Sequence, residues 1–143
     1  MSDNEESLTV LVVDDDDMVR RAAVRVLARR YFVEEFSEPE RVIARVLAGG
    51  VGAVVTDMSM PGMSGLDLAR KLLLHQPALP VVLMTASGSD ELASLALREG
   101  IAGYLAKPFE PSALLEALER AVSVERVVHS ERRSRPGRAR SAS

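Results

Sequence analysis

Five short apolar runs divide the chain: Val10–Val13, Val33–Phe36, Ala53–Thr56, Pro80–Met84 and Gly103–Ala106. The first, third and fourth are Val-rich and almost uninterrupted, the pattern of strands covered on both faces. Glu34 and Glu35 interrupt the second, which suits an edge strand. Between the runs the apolar period lengthens to that of a helix. Val19, Ala22, Ala23, Val26 and Leu27 share one helical face. Pro39 can open a second helix with the stripe Val42, Ile43, Val46 and Leu47, closed by Gly49-Gly50. Leu66, Ala69, Leu72 and Leu73 mark a third, which Pro77 stops. Leu92, Leu95 and Ala96 mark a fourth, ended by Gly100. Leu114, Leu118, Ala121 and Val122 mark a fifth, opened near Pro111.

Strand followed by helix, five times over, predicts a doubly wound α/β domain: a five-stranded parallel sheet with helices on both faces. In such a sheet, ligands bind beyond the C-terminal ends of the strands, at the point where strand order reverses. The residues at those ends are polar. Asp14 to Asp17 follow the first strand, Asp57 the third and Thr85 the fourth, while the fifth runs into Lys107-Pro108. A parallel sheet would gather them on one edge.

Composition narrows what that edge can do. The 143 residues contain no Cys, which excludes disulfides, thiolate metal sites and thiol nucleophiles. No apolar run approaches a membrane span, and the polar, acidic residues 1–7 do not resemble a secretory signal. A cytoplasmic protein is expected. The net charge of −3 combines an acidic body, −7 over residues 1–124, with a basic end, +4 over residues 125–143. An acidic body argues against broad nucleic-acid binding. Residues 1–7 read as a flexible N-terminus, and residues 125–143 as a basic, disordered tail into which the last helix can extend, with a tether to an anionic partner as the sharper alternative.

Carboxylates gathered on one edge repel unless a cation sits among them. Mg2+ is the natural choice where phosphate takes part. A nearby lysine can neutralise a transferring phosphoryl group, and a carboxylate can itself be the nucleophile. The residues alone thus suggest Mg2+-assisted phosphoryl chemistry on an aspartate. Asp16 and Asp17 read differently, as a helix N-cap and a first-turn acid. Met58, Met60 and Met63 around Pro61 read as gap-filling beside a loop, not as a metal box. Gly62 and Gly65 are expected to supply turn flexibility. His75 and His129 have no partner at ligand spacing and read as surface residues.

The motifs are specific when taken together. They are Val-Leu-Val-Val-Asp14-Asp15-Asp16; Val54-Val55-Thr56-Asp57-Met58-Ser59-Met60-Pro61-Gly62-Met63-Ser64-Gly65; Val82-Leu83-Met84-Thr85-Ala86; and Gly103-Tyr104-Leu105-Ala106-Lys107-Pro108-Phe109. In order and spacing, residues 8–124 resemble the receiver domain of bacterial two-component response regulators. The resemblance implies a flavodoxin-like (βα)5 fold with strand order 2-1-3-4-5. It implies that Asp57 accepts a phosphoryl group from a sensor histidine kinase or a histidine phosphotransfer protein. Asp14, Asp15 and Asp57, with the backbone carbonyl of Ser59, would hold Mg2+. Lys107 would contact phosphoryl oxygens beside a tight, in the family usually cis, bond to Pro108. Thr85 and Tyr104 would form the switch, altering the face made by the fourth helix, fifth strand and fifth helix for a downstream protein or a phosphorylation-linked dimer. Ser64 stands where the family often has an acid. Ser59 and Ser87 stand where the family tunes acyl-phosphate lifetime, and both are small and neutral.

The same resemblance implies a protein that catalyses only its own phosphoryl transfer and dephosphorylation, with no DNA-binding domain of its own. It would be a stand-alone regulator or a receiver cut from a larger protein. Two other readings stay open at this level. A haloacid-dehalogenase-like phosphatase would use Asp14 as nucleophile, though Met18 breaks its signature. A degenerate receiver would bind a partner without phosphate. A nucleotide-binding reading fails for want of a Gly-rich loop after the first strand.

Overall fold

The structure, a computed structural model, describes residues 8–86 and 88–133, with side chains through Ser123. Strands and helices alternate: β1 (Thr9–Val13), α1 (Asp17–Leu27), β2 (Phe32–Phe36), α2 (Pro39–Leu47), β3 (Ala53–Asp57), α3 (Gly65–His75), β4 (Val81–Thr85), α4 (Asp90–Arg98), β5 (Gly103–Ala106) and α5 (Pro111–Arg133). The strands form one sheet in the order β2-β1-β3-β4-β5. Every pairing is parallel. The doubly wound sheet and its strand order are as expected.

Successive strand residues point to opposite faces, so the sheet carries two cores. Leu11, Val13, Val54, Val81 and Leu83 pack with α2, α3 and α4. Val10, Val12, Ala53, Val55, Val82 and Met84 pack with α1 and α5. This is why β1, β3 and β4 read as unbroken apolar runs, and all these residues are fully buried. β2 lies at one edge, where Glu34 pairs with Arg45 at 2.7 Å and Glu35 with Arg20 at 2.8 Å.

The helix starts follow local chemistry. Asp16 caps α1, its side chain accepting the N–H groups of Met18 and Val19. Ser64 and Ser89 cap α3 and α4, and Pro39 opens α2. Three helical stripes differ from expectation. Leu68 is fully buried although it lies off the expected stripe, because α3 packs against α2 as well as the sheet. Leu47 is exposed, being the last residue of α2 before Gly49 and Gly50 turn the chain with positive φ. Arg20 is buried on the same face as Ala23 and Leu27. The fifth helix runs to Arg133, past residue 124 and into the basic end. The expectations for residues 1–7, for Ser87, for the side chain of His129 and for the tail beyond Arg133 lie outside what is described.

The loop from β3 to α3 corrects one expectation. Gly62 has a φ of +85°, a true turn glycine. Gly65 does not; it is needed for space. Its N–H donates to the Met58 carbonyl at 2.7 Å. A Cβ at Gly65 would lie 2.1 Å from the Asp57 carbonyl oxygen and 3.0 Å from Leu83. Met60 is buried, and Met58 and Met63 are half-buried against the core, the gap-filling their sequence suggested. Gly65→Ala should therefore cost stability by overpacking, about 2–3 kcal/mol. Urea unfolding of both proteins reads this directly, and an unchanged midpoint would contradict it.

Candidate functional site

Strand order reverses between β1 and β3, so the crevice of this sheet opens at their C-terminal ends. Asp14 stands immediately past β1, and Asp57 is the last residue of β3. Carboxylate oxygens of Asp14, Asp15 and Asp57 lie within 4.8 Å of one another. Lys107 enters from the loop after β5, its Nζ 2.8 Å from Asp57 and 3.3 Å from Asp14. Thr85 ends β4 and is buried, and its carbonyl accepts the Lys107 N–H at 2.7 Å. The Lys107-Pro108 peptide bond is cis. Asp14, Asp15, Asp57 and Lys107, drawn from three strand ends, thus meet at one spot, with Thr85 at the end of the intervening strand β4.

The three acids are held differently. Asp14 is fully buried, and both its carboxylate oxygens are engaged, Oδ1 by the Asp16 N–H at 2.9 Å and Oδ2 by Lys107. Asp15 is exposed. Asp57 is 6% exposed, at the floor of the crevice, with Lys107 on one oxygen. Asp57 is therefore better placed than Asp14 to act as a nucleophile. Ser59 is an exposed residue of the following loop.

Electrostatics identify the strain in this arrangement. Burial pushes the Asp14 carboxyl above its ordinary value of 3.8, and the Asp57 charge adds to the rise, although the Asp16 N–H and Lys107 oppose it. Burial pulls the Lys107 ammonium down, but its hydrogen bond to Asp57 and the charge of Asp14 outweigh this and raise it. One lysine therefore faces an excess of carboxylate. A hard divalent cation fits such a site. The donors are all oxygen, and three carboxylates come within reach of one ion.

Tyr104 is half-buried on β5, and its hydroxyl accepts the Ser89 N–H at 3.0 Å. A Cβ on Gly88 would lie 2.9 Å from that hydroxyl. The ring thus closes on the loop between β4 and α4, one strand away from Lys107. Asp16 caps a helix, as expected, and His75 is exposed.

Sequence reasoning passed over Arg20. Its Nη1 donates to the Asp14 carbonyl at 3.0 Å. Nε meets Glu35 at 2.8 Å and Nη2 meets Asp17 at 2.8 Å. A signal was available: Arg20 is a cation in the first turn of a helix, where the dipole disfavours one, and it falls in line with Ala23 and Leu27.

A five-stranded parallel sheet in this order, with an acid-and-lysine pocket at its switch point, defines the class as a flavodoxin-like receiver fold. The response regulator receiver domain family matches residues 10–119, and the chain belongs to that family of two-component systems. The C4-dicarboxylate transport transcriptional regulatory protein DctD of Rhizobium meliloti is 36% identical over 125 residues, 87% of this chain and 27% of that regulator. The transcriptional regulatory protein FixJ of Azorhizobium caulinodans is 35% identical over 114 residues, 79% of this chain and 54% of that one. The crystal structure of a response regulator receiver domain protein from Clostridium thermocellum matches with a TM-score of 0.76 at 27% identity, covering 85% of this chain and 98% of that one. The chain thus spans about a quarter to a half of these curated relatives.

The raised Asp14 has a testable consequence. Its proton is bound more tightly in the folded than in the unfolded state, so its contribution to stability is present below 3.8 and is lost as pH rises through the folded pKa. In chelator, wild type should lose more stability than Asp14→Asn as pH rises from 3.8 toward neutrality, measured as urea midpoints against pH. Parallel curves for the two proteins would reject a destabilising Asp14 charge.

Proposed function

We propose that the chain is a phosphorylation-controlled signalling switch with Asp57 as phosphoryl acceptor. The observation that carries this reading is the Lys107 ammonium 2.8 Å from the Asp57 carboxylate, inside an acidic cluster at the sheet's switch point. An Asp57 oxygen attacks the phosphorus of a phosphohistidine on a sensor kinase or phosphotransfer protein. The new O–P bond forms as the P–N bond breaks, and the imidazole nitrogen leaves with the bonding pair and takes up a proton. Asp14, Asp15 and Asp57, with the Ser59 carbonyl, would hold Mg2+, which when bound supplies positive charge to the phosphoryl oxygens. Lys107 supplies a second cation from the protein itself. Hydrolysis of the aspartyl phosphate by water resets the site. The chain thus catalyses only its own phosphoryl transfer and dephosphorylation.

Phosphorylation adds about two negative charges. The Thr85 hydroxyl would donate to a phosphoryl oxygen and draw the β4–α4 loop inward, and Tyr104 would change rotamer. The hydrogen bond from the Ser89 N–H to Tyr104 supports such a coupling, since it ties that loop to β5. The output is a changed α4-β5-α5 face, offered to a downstream protein or to a second copy. Among the described residues no helix is long and apolar enough to cross a membrane, and a reducing cytoplasm suits a chain without Cys.

Intact-protein mass after incubation with acetyl phosphate and Mg2+ tests the assignment. One phosphoryl adduct is expected on wild type, none on Asp57→Asn, and none on wild type in excess chelator. Stoichiometric labelling of Asp57→Asn would move the acceptor elsewhere. No adduct on wild type would leave a receiver that binds its partner without phosphate.

A further inference from the structure

Arg20 is the one buried cation among the described residues, and it serves no part of the proposed chemistry directly. Its side chain is 10% exposed, whereas its two carboxylate partners are open to solvent, Asp17 at 64% and Glu35 at 45%. The guanidinium therefore sits inside while its counterions stand at the rim. Such pairs add little stability when so exposed. Burying the head of an arginine for them alone would be a poor exchange.

The third contact explains the placement. Nη1 donates to the backbone carbonyl of Asp14, in the buried interior. On its other side, the Asp14 N–H donates to the Phe36 carbonyl at the end of β2, at 3.1 Å. Asp14 is thus pinned at both backbone polar groups, and its side chain at both oxygens. The peptide whose carbonyl Arg20 holds is the one that joins Asp14 to Asp15. Its orientation decides where the exposed Asp15 carboxylate points. The planar fork spans three elements: the turn after β1, the first turn of α1 and the strand β2. A fork with fixed donor directions can hold a carbonyl in one orientation, which a flexible ammonium cannot.

We infer that Arg20 is a positioning residue for the metal site: by holding the Asp14 carbonyl it sets the Asp14–Asp15 peptide so that both carboxylates meet one cation with Asp57. This rests on the Mg2+ site proposed above. It makes a prediction opposite in sign to plain electrostatics. Removing a positive charge beside a cation site should tighten cation binding if charge were all that mattered. Loss of the positioning contact should weaken it, as loss of residues that orient metal ligands generally does, by about tenfold or more.

The test is calorimetric titration with Mg2+ of wild type, Arg20→Met, Arg20→Lys and Glu35→Gln, with urea unfolding of each. Arg20→Met and Arg20→Lys should each bind Mg2+ about tenfold more weakly. Glu35→Gln keeps the contact to Asp14 but loosens its anchor, and a smaller weakening of about threefold is expected; it also serves should the Arg20 variants fail to fold. Lower stability with unchanged or tighter Mg2+ binding would make Arg20 a structural cation only and overturn the inference. Wild-type affinity in Arg20→Lys would show that an ammonium serves as well as the planar fork and would overturn it likewise. A wild type that does not bind Mg2+ would remove the metal site itself, and the inference with it.

Discussion

Three carboxylates drawn to one spot by the geometry of a parallel sheet are the constraint around which this molecule is arranged. β1 and β3 are neighbours and run the same way, so Asp14 and Asp57 emerge side by side. Asp15 adds a third charge. Left alone, such a cluster would pull protons from solvent or force the strand ends apart. Lys107 answers part of the charge, and burial, with the Asp57 charge adding to it, raises the Asp14 carboxyl. The unfavourable site persists because the strands beneath it are locked between two apolar layers, with Leu11, Val12, Val54 and Val55 fully buried. The core holds the strand ends rigid, and the strand ends hold the acids close.

Much of the remaining detail keeps those acids in place. The Asp16 cap turns the chain into α1 and lends its N–H to Asp14. Gly65 lets the start of α3 approach the Asp57 carbonyl more closely than any side chain would allow. The Thr85 carbonyl holds the Lys107 N–H. Arg20 reaches the same site from behind, through backbone and not through charge. The pocket thus has a front that can exchange partners, Lys107 and Asp15, and a back that is tied.

The helix after β4 is held more lightly. α4 buries only Ala96, while Leu92 and Leu95 are half-covered and Leu97 is exposed. α3, by contrast, buries Leu66, Leu68, Ala69 and Leu72. A helix with so few buried contacts costs less to displace. The Ser89 N–H bonded to Tyr104 is a polar tie between this helix's start and β5. Such a tie can be remade in another arrangement without disturbing the two cores.

Periodicity alone carried most of the architecture, because strands covered on both faces must be apolar throughout and helices covered on one face must repeat near every fourth residue. It identified β1 to β5 within a residue or so, and it put Asp14, Asp57, Thr85 and Lys107 at strand ends, where a parallel sheet gathers them. Family motifs supplied Asp15, Ser59 and Tyr104, which no period distinguishes. What periodicity misjudged were residues whose setting depends on a third body. Leu68 is buried by a neighbouring helix and Leu47 is left bare at a helix end, though both look alike in one dimension. Gly65 reads as a flexible turn residue, yet its need is room for a carbonyl eight residues earlier. Arg20 stands out in no period or motif, yet it is buried against the ends of β1 and β2. Local sequence determined which segments form and which groups they carry outward. Only the packed structure decided distances between groups far apart in the chain, since the burial and charge that set those distances exist only once the strands lie side by side.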